Sequence, residues 1–322
     1  AEEESYHFYM PEMAGSYGVE KTFNGRLAGE AGGQVIRVDA SGFRHQEMSM
    51  AGREPVSGQD ITLALDFRIQ RLAEEVLGEE LGAAVVVDPR NGDVLAMASS
   101  PSFDPNRFTT GISREEWAEL ESDEWHPLLN RALQGTYPPG STFKPLVAIA
   151  ALDSGAATEA TGFNCPGYFQ LGSARFHCWQ KEGHGWLTMR KGIEQSCNAY
   201  FCQLGLQCGH EKIAQISRAV GLGSRTGIEL GRDSSAEAAG LVPDSQWKKG
   251  RMHEGWWPGD TCNLSIGQGA LSVTPLQMAV VTATIGNGGS LYRPRLVCQP
   301  GDKGDLVRKV NWSAAAVSFV RS

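Results

Sequence analysis

The chain has 322 residues, 41% hydrophobic and 20% charged, the composition of a globular protein with a true core and a length for about two domains. A formal net charge of −8 excludes a phosphate-backbone partner on electrostatic grounds, so no nucleic acid is expected. No apolar run approaches the roughly 18 residues of a membrane span, and nothing at the start reads as a signal peptide. Residues 1–58 are polar and Gly-rich, with short alternating pieces such as Gln34-Val35-Ile36-Arg37-Val38-Asp39, and read as strands and loops without a large core. Ile61 to Leu65 is a strand candidate. A helix is expected from Phe67 to Leu81, with Ile69, Leu72, Ala73, Val76 and Leu77 at helical spacing. Two β-rich runs then flank Asp88-Pro89-Arg90-Asn91-Gly92, a hairpin signal because Asn-Gly accepts the positive φ of a tight turn. Ser113 to Leu120 is an acidic helix with Ser113 as N-cap and Glu116 at the capping-box position.

The stretch Tyr137-Pro138-Pro139-Gly140-Ser141-Thr142-Phe143-Lys144-Pro145 carries the chemistry. It opens an apolar run, Pro145 to Leu152, that reads as a buried helix. Ser141 falls at or near the helix N-terminus, and Lys144 follows one turn later on the same face. A lysine desolvated there can take the serine's proton. A bare Ser-x-x-Lys is weak by itself, since an N-cap serine beside a solvated lysine has the same spelling. Downstream, Leu187 to Gln195 has a helical pattern and leads into Ser196-Cys197-Asn198, then Ala199-Tyr200-Phe201-Cys202-Gln203-Leu204.

Asn130-Arg131-Ala132, then Gly135, then the run to Pro145 resemble the active-site segment of class B penicillin-binding proteins, and within them the elongation-type group. These are serine D,D-transpeptidases that cross-link peptidoglycan. The resemblance implies Ser141 as acyl-enzyme nucleophile and Lys144 as its base. It makes Ser196 and Asn198 the Ser-x-Asn motif, a hydroxyl to relay a proton and an amide to hold the substrate backbone. Gly18 to Asn24 resembles the end of the family's N-terminal pedestal. Thr226 to Leu230, Gly259-Asp260-Thr261, Leu264 to Gly269 and Thr274 to Ala279 continue the likeness, with Thr274 as N-cap and Pro275 at the first helical position. The implied fold is α+β: an antiparallel sheet flanked by helices, in a transpeptidase domain over 59–322 behind a β-rich pedestal remnant over 1–58. The family's third motif, Lys-Thr-Gly or Lys-Ser-Gly, is not found after Ser290. The likeness therefore implies a domain without its last strands and the oxyanion donor that follows that motif. It also implies a membrane anchor outside this chain, and a place at the periplasmic face of the bacterial inner membrane. Implied partners are stem peptides, β-lactam antibiotics, a SEDS-family glycosyltransferase and other elongation-complex proteins. The rivals are a β-lactam sensor or serine β-lactamase, which share Ser-x-x-Lys, and a catalytically impaired scaffold or fragment.

Seven cysteines are many for such a chain, and the odd number forbids full disulfide pairing. Cys165, Cys178, His184 and Cys197 follow as Cys-x12-Cys-x5-His-x12-Cys. Thiolates and imidazole are the ligands zinc prefers, and four of them close a structural site. The resemblance adds that some elongation-type members bind zinc at corresponding positions, with Asp in place of one or both early cysteines. A Cys165–Cys178 disulfide with a free Cys197, or simply buried thiols, stand beside that reading, and His177 stands beside His184 as a ligand. Cys202 falls in a probable helix and reads as core. Cys208, Cys262 and Cys298 cannot be paired.

Overall fold

The structure, a computed structural model, describes residues 14–33, 53–109, 111–230, 236–299 and 301–322. Two short helices, α1 (Gly18–Thr22) and α2 (Asn24–Leu27), precede bridges of Glu30 to Val56 and of Gly33 to Arg53. The described part of the segment expected to hold strands and loops thus opens with helices, while Gln34 to Asp39 lies outside the described residues. Ile61 to Leu65 forms no regular strand. Only Leu63 bridges, to Val297, because Asp66 turns the chain away at once.

Asp66 caps α3 (Phe67–Leu77) by accepting the Arg68 N–H. Gly78, at φ +50, ends that helix four residues short of the expected Leu81. Its apolar stripe is wider than the face it buries, and Leu72 and Val76 are exposed. Strands β1 (Gly82–Val87) and β2 (Val94–Ser100) form the expected antiparallel hairpin, with Gly92 at φ +83 in the turn. Alternate β2 residues Val94, Ala96 and Ala98 point into the core. Helix α3 and a later helix over Pro275–Gly286 pack on this hairpin. Helix α4 (Arg114–Ser122) has both halves of the Ser113–Glu116 capping box.

A 3-10 turn, Gly140–Phe143, runs directly into α5 (Lys144–Asp153), buried from Leu146 to Ala151. A helix apolar all round belongs in the middle of a core, and α5 is there. Strand β3 (Gly162–Cys165) pairs with β6 (Gly185–Thr188), and β4 (Tyr168–Leu171) with β5 (Ala174–His177). The helix expected over Leu187 to Gln195 is shorter. Leu187 sits in β6 opposite Phe163, and α6 covers only Met189–Glu194.

Helix α7 (Asn198–Cys208) packs on α5, and α8 (His210–Ala219) on both. Then follow α9 (Ser245–Met252), α10 (Pro258–Ser265), α11 (Pro275–Gly286), strands β7 (Ser290–Tyr292) and β8 (Leu306–Lys309), and α12 (Ala314–Arg321). Thr274 and Gln277 close a capping box on α11, and Pro275 takes its first position, as expected. Every named strand pair is antiparallel. The class is α+β, with the apolar helices α5 and α7 at its centre.

Candidate active site and metal cluster

Lys144 opens α5 with its side chain only 2% exposed. Its Nζ lies 3.1 Å from Ser141 Oγ, 3.0 Å from Ser196 Oγ, 2.7 Å from Ser196 O and 2.8 Å from Asn198 Oδ1. The four polar residues singled out from the sequence therefore meet at one nitrogen. Two of the partners, the Ser196 carbonyl and the Asn198 amide oxygen, can only accept. Asn198 cannot turn its amide round, because its Nδ2 donates to the His177 carbonyl at 3.2 Å. Two amine hydrogens are thus committed. The third tetrahedral direction faces the two serine hydroxyls, which can donate or accept. As an ammonium, Lys144 donates to them. As a neutral amine, it offers its lone pair to the Ser141 proton. Burial lowers the lysine pKa to about 8, only partly offset by the nearby cysteines Cys197, Cys178 and Cys202. Ser141 itself is exposed, so its hydroxyl faces solvent while the Lys144 amine stands behind it.

Backbone shape makes this possible. Ser196 is held at φ +49, a left-handed conformation rare for a side-chain-bearing residue. The Lys144 bond to its carbonyl and the Ser196 N–H bond to Ile193 O keep it there. The serine turn is pinned from the other side. Gly140 N–H donates to Gly267 O at 2.9 Å, and Tyr137 and Val273 exchange both backbone bonds. Gly267 has φ +71, and a Cβ there would collide with the Gly140 backbone. Gly267→Ala is expected to displace the serine turn and to slow acylation by a penicillin about tenfold or more, with α5 intact by circular dichroism. An unchanged acylation rate would show that the turn does not depend on this strap.

Cys165, Cys178, His184 and Cys197 also converge, their ligand atoms all within 4.8 Å of one another. Cys165 Sγ and Cys178 Sγ lie 3.6 and 3.5 Å from His184 Nδ1, and Cys178 Sγ lies 3.8 Å from Cys197 Sγ. Tetrahedral zinc, at about 2.3 Å from sulfur and 2.0 Å from nitrogen, sets edges of about 3.8 Å between sulfurs and 3.5 Å from sulfur to nitrogen. The donor set therefore fits such an ion in kind, and these three edges match it in spacing. All three thiols are free in this structure, and their sulfurs face the shared space beside His184. His177 stays in β5, outside the cluster, and its carbonyl accepts from Asn198.

The loop that makes the cluster is wound tightly. His184 N–H donates to Cys165 O, and Gly183 at φ +85 leaves no room for a Cβ beside the Cys165 and Gly167 backbone. The Trp179 ring meets His184 edge-on at 5.2 Å, and its Nε1 donates to Gln195 O. Cys197 caps α7 by accepting the Tyr200 N–H. The cluster and the Ser-x-Asn motif are thus one piece of backbone. Two positioning features were not legible in the sequence: the His177 carbonyl that orients Asn198, and the pairing of Gly267 with Gly140. Backbone groups carry no sequence signature of their own, although Gly267 in its Gly-Gln-Gly setting was a hint.

Comparison with known proteins bears on this geometry. The sequence profile described as the penicillin binding protein transpeptidase domain matches residues 82–315. This chain belongs to the penicillin-binding protein transpeptidase family. A second profile, the penicillin-binding protein dimerisation domain, matches residues 1–63. The peptidoglycan D,D-transpeptidase MrdA of Acinetobacter baumannii is 40% identical over 319 residues, which is 96% of this chain and 46% of that protein. Among solved structures, the Pseudomonas aeruginosa PBP2 complex with WCK 5153 superposes at TM-score 0.81 with 35% identity, covering 95% of this chain and 64% of that one. The Helicobacter pylori PBP2 complex with MreC superposes at 0.81 with 34% identity, covering 96% and 56%. The chain spans about half the length of the curated relatives it matches. Among the described residues, no helix is long and apolar enough to cross a membrane.

Proposed function

We propose that this chain is the acyl-transfer part of an elongation-type peptidoglycan D,D-transpeptidase, with the transpeptidase unit over 59–322 and part of a pedestal over 1–58. The observation that carries the reading is the single buried amine shared by Ser141, Ser196 and Asn198. In the first step Ser141 Oγ attacks the carbonyl of the penultimate D-Ala of a stem peptide, and its proton passes to neutral Lys144. The tetrahedral intermediate collapses, and the terminal D-Ala leaves as an amine protonated by Lys144, directly or through the Ser196 hydroxyl. An amine from a second stem peptide then attacks the ester, loses its proton to Lys144 and releases Ser141. A β-lactam enters the same first step and stays attached, because its leaving amine remains tethered to the acyl group. Asn198 holds the lysine with its oxygen and leaves part of its amide edge for substrate backbone.

Such substrates place the reaction in the periplasm, at the outer face of the inner membrane. The PBP2 solved with MreC and a solved structure of a peptidoglycan synthase complex support elongation-complex partners; a SEDS-family glycosyltransferase is the polymerising partner in this reading. The Cys165, Cys178, His184 and Cys197 set is the seat of a structural zinc ion, supported by the tetrahedral spacing above. Held there by the three thiolates and His184, a zinc ion would neutralise their charge and brace the loop bearing Ser196 and Asn198.

Intact mass with and without a penicillin tests the function. A stable adduct of one penicilloyl group, absent in Ser141→Ala, is expected. An adduct released within seconds would favour a β-lactamase, and no adduct on a folded chain would leave only a binding scaffold.

A further inference from the structure

Helices α7 and α10 cross with nothing between them. A Cβ on Gly205 would fall inside the Ser265 hydroxyl, so the backbone of α7 rests directly on a side chain of α10. One turn along each helix, on the same faces, stand Cys202 and Cys262. Both are completely buried and both are free. The Cys202 thiol lies 3.9 Å from the Cys262 carbonyl oxygen. The neighbouring Cys262 thiol, together with burial, holds the Cys202 thiol above its ordinary range. Neither belongs to the Cys165, Cys178, His184 and Cys197 cluster.

We propose that Cys202 and Cys262 are a disulfide site, cross-linking α7 to α10 when the chain folds in an oxidising compartment. A helix crossing too close for one Cβ brings the neighbouring Cα atoms toward the short separation that a disulfide spans. Full burial keeps oxidants away from the folded pair, so the bond forms while the helices dock. One cysteine, as thiolate, attacks the disulfide of an oxidant such as oxidised glutathione. This gives a mixed disulfide and one released thiolate. The second cysteine thiolate attacks the protein sulfur of that mixed disulfide and releases the second glutathione thiolate. The two cysteine sulfurs lose two electrons, the oxidant's disulfide gains them, and the two cysteine protons end on the two released thiols.

The bond would divide the cysteines by role: three ligands, one cross-linked pair, and Cys208 and Cys298 left over. It would also reach the active site, because Cys202 lies one turn below Asn198 on α7. Fixing α7 against α10 fixes the helix that carries the amide facing Lys144. The oxidising compartment follows from the proposed function, but the site itself rests on the helix crossing alone.

The test refolds the full chain with zinc in a buffer of reduced and oxidised glutathione, quenches with acid, denatures and alkylates. Five of the seven cysteines are expected to alkylate, with a linked peptide pair joining Cys202 to Cys262. Alkylation of all seven, or linkage through Cys165, Cys178 or Cys197, would overturn the proposal. In Cys262→Ala, Cys202 is expected to become alkylatable. A reductant is expected to lower the melting temperature of the oxidised wild-type chain by about 5–10 °C and not to shift the variant's. Should the variant fail to fold, the peptide map of the unsubstituted chain decides alone. Acylation of the same sample by a penicillin reports separately on the transpeptidase reading.

Discussion

Replacing Lys144 by Met, which keeps most of the buried volume and removes the amine, is expected to lower the rate of acylation by a penicillin about 1000-fold or more. The loss has two sources. Ser141 is left without a base, and the Ser196 carbonyl and Asn198 amide oxygen each lose their Nζ donor. Lys144→Arg is expected to be nearly as slow, because a guanidinium does not deprotonate near neutrality and so cannot accept the proton. The wild-type pH profile follows from the same nitrogen. Burial favours the neutral amine and brings the pKa to about 8. Acylation should therefore rise with pH through about 8 and level off above it. Below about pH 7 it should fall about tenfold per unit, as the neutral fraction falls. A flat profile between pH 6 and 9, measured by stopped-flow with a chromogenic β-lactam, would remove Lys144 from the role of base.

Removal of the proposed zinc is expected to unfold the motif it would brace. Cys197→Ser, or treatment with a strong chelator, should release about one zinc per chain and destabilise the fold by about 3–5 kcal/mol, a fall in melting temperature on the order of 10 °C. The effect is large because the remaining thiols crowd one buried space with no cation between them. In the chelated wild-type chain, burial and its thiol neighbours then push Cys197 well above its ordinary range. Cys178, although burial opposes it, is held lower by the backbone N–H groups of Gln180, Asn198 and Ala199. Acylation should fall alongside, since Asn198 is anchored to the His177 carbonyl next to Cys178. Inductively coupled plasma mass spectrometry on the purified chain checks the first point; a zinc content near zero in a protein of unchanged stability would dismiss the site.

How far these features could be read in advance depended on how local they are. The Asn91-Gly92 hairpin, the Ser113–Glu116 box and the Thr274–Gln277 box are decided within a few residues, and the structure has all three. The buried helix after Ser141 announced itself by being apolar on every side. Boundaries fared worse. Gly78 stops α3 early, and Leu187 goes to a strand because Phe163 is there to pair with it, a fact that lies outside any helical window. Leu72 and Val76 show the limit of periodicity, since helical spacing marks an apolar face without saying how much of it is covered. At the site, residue types and their order were enough to name Ser141, Lys144, Ser196 and Asn198. The left-handed Ser196, the His177 carbonyl and the Gly140–Gly267 bond were not, because each is a backbone arrangement imposed by distant segments.

The two supports of the active site differ in how much chain they close. The cysteine cluster gathers residues from a stretch beginning at Cys165 and ending at Cys197, and its ligand contacts join residues no more than 19 apart. The strap on the serine turn joins Gly140 to Gly267, across most of the helical body. Short loops close at low entropic cost and early; long ones wait for what lies between them. During synthesis, the Ser196–Asn198 half can therefore be set as soon as Cys197 is available to complete the proposed zinc site. The nucleophile's half is set only after α10 has been made and docked. A nascent or truncated chain ending before Gly267 would hold zinc and yet be inert toward penicillin, and ribosome-bound intermediates of this protein should be sorted by that difference.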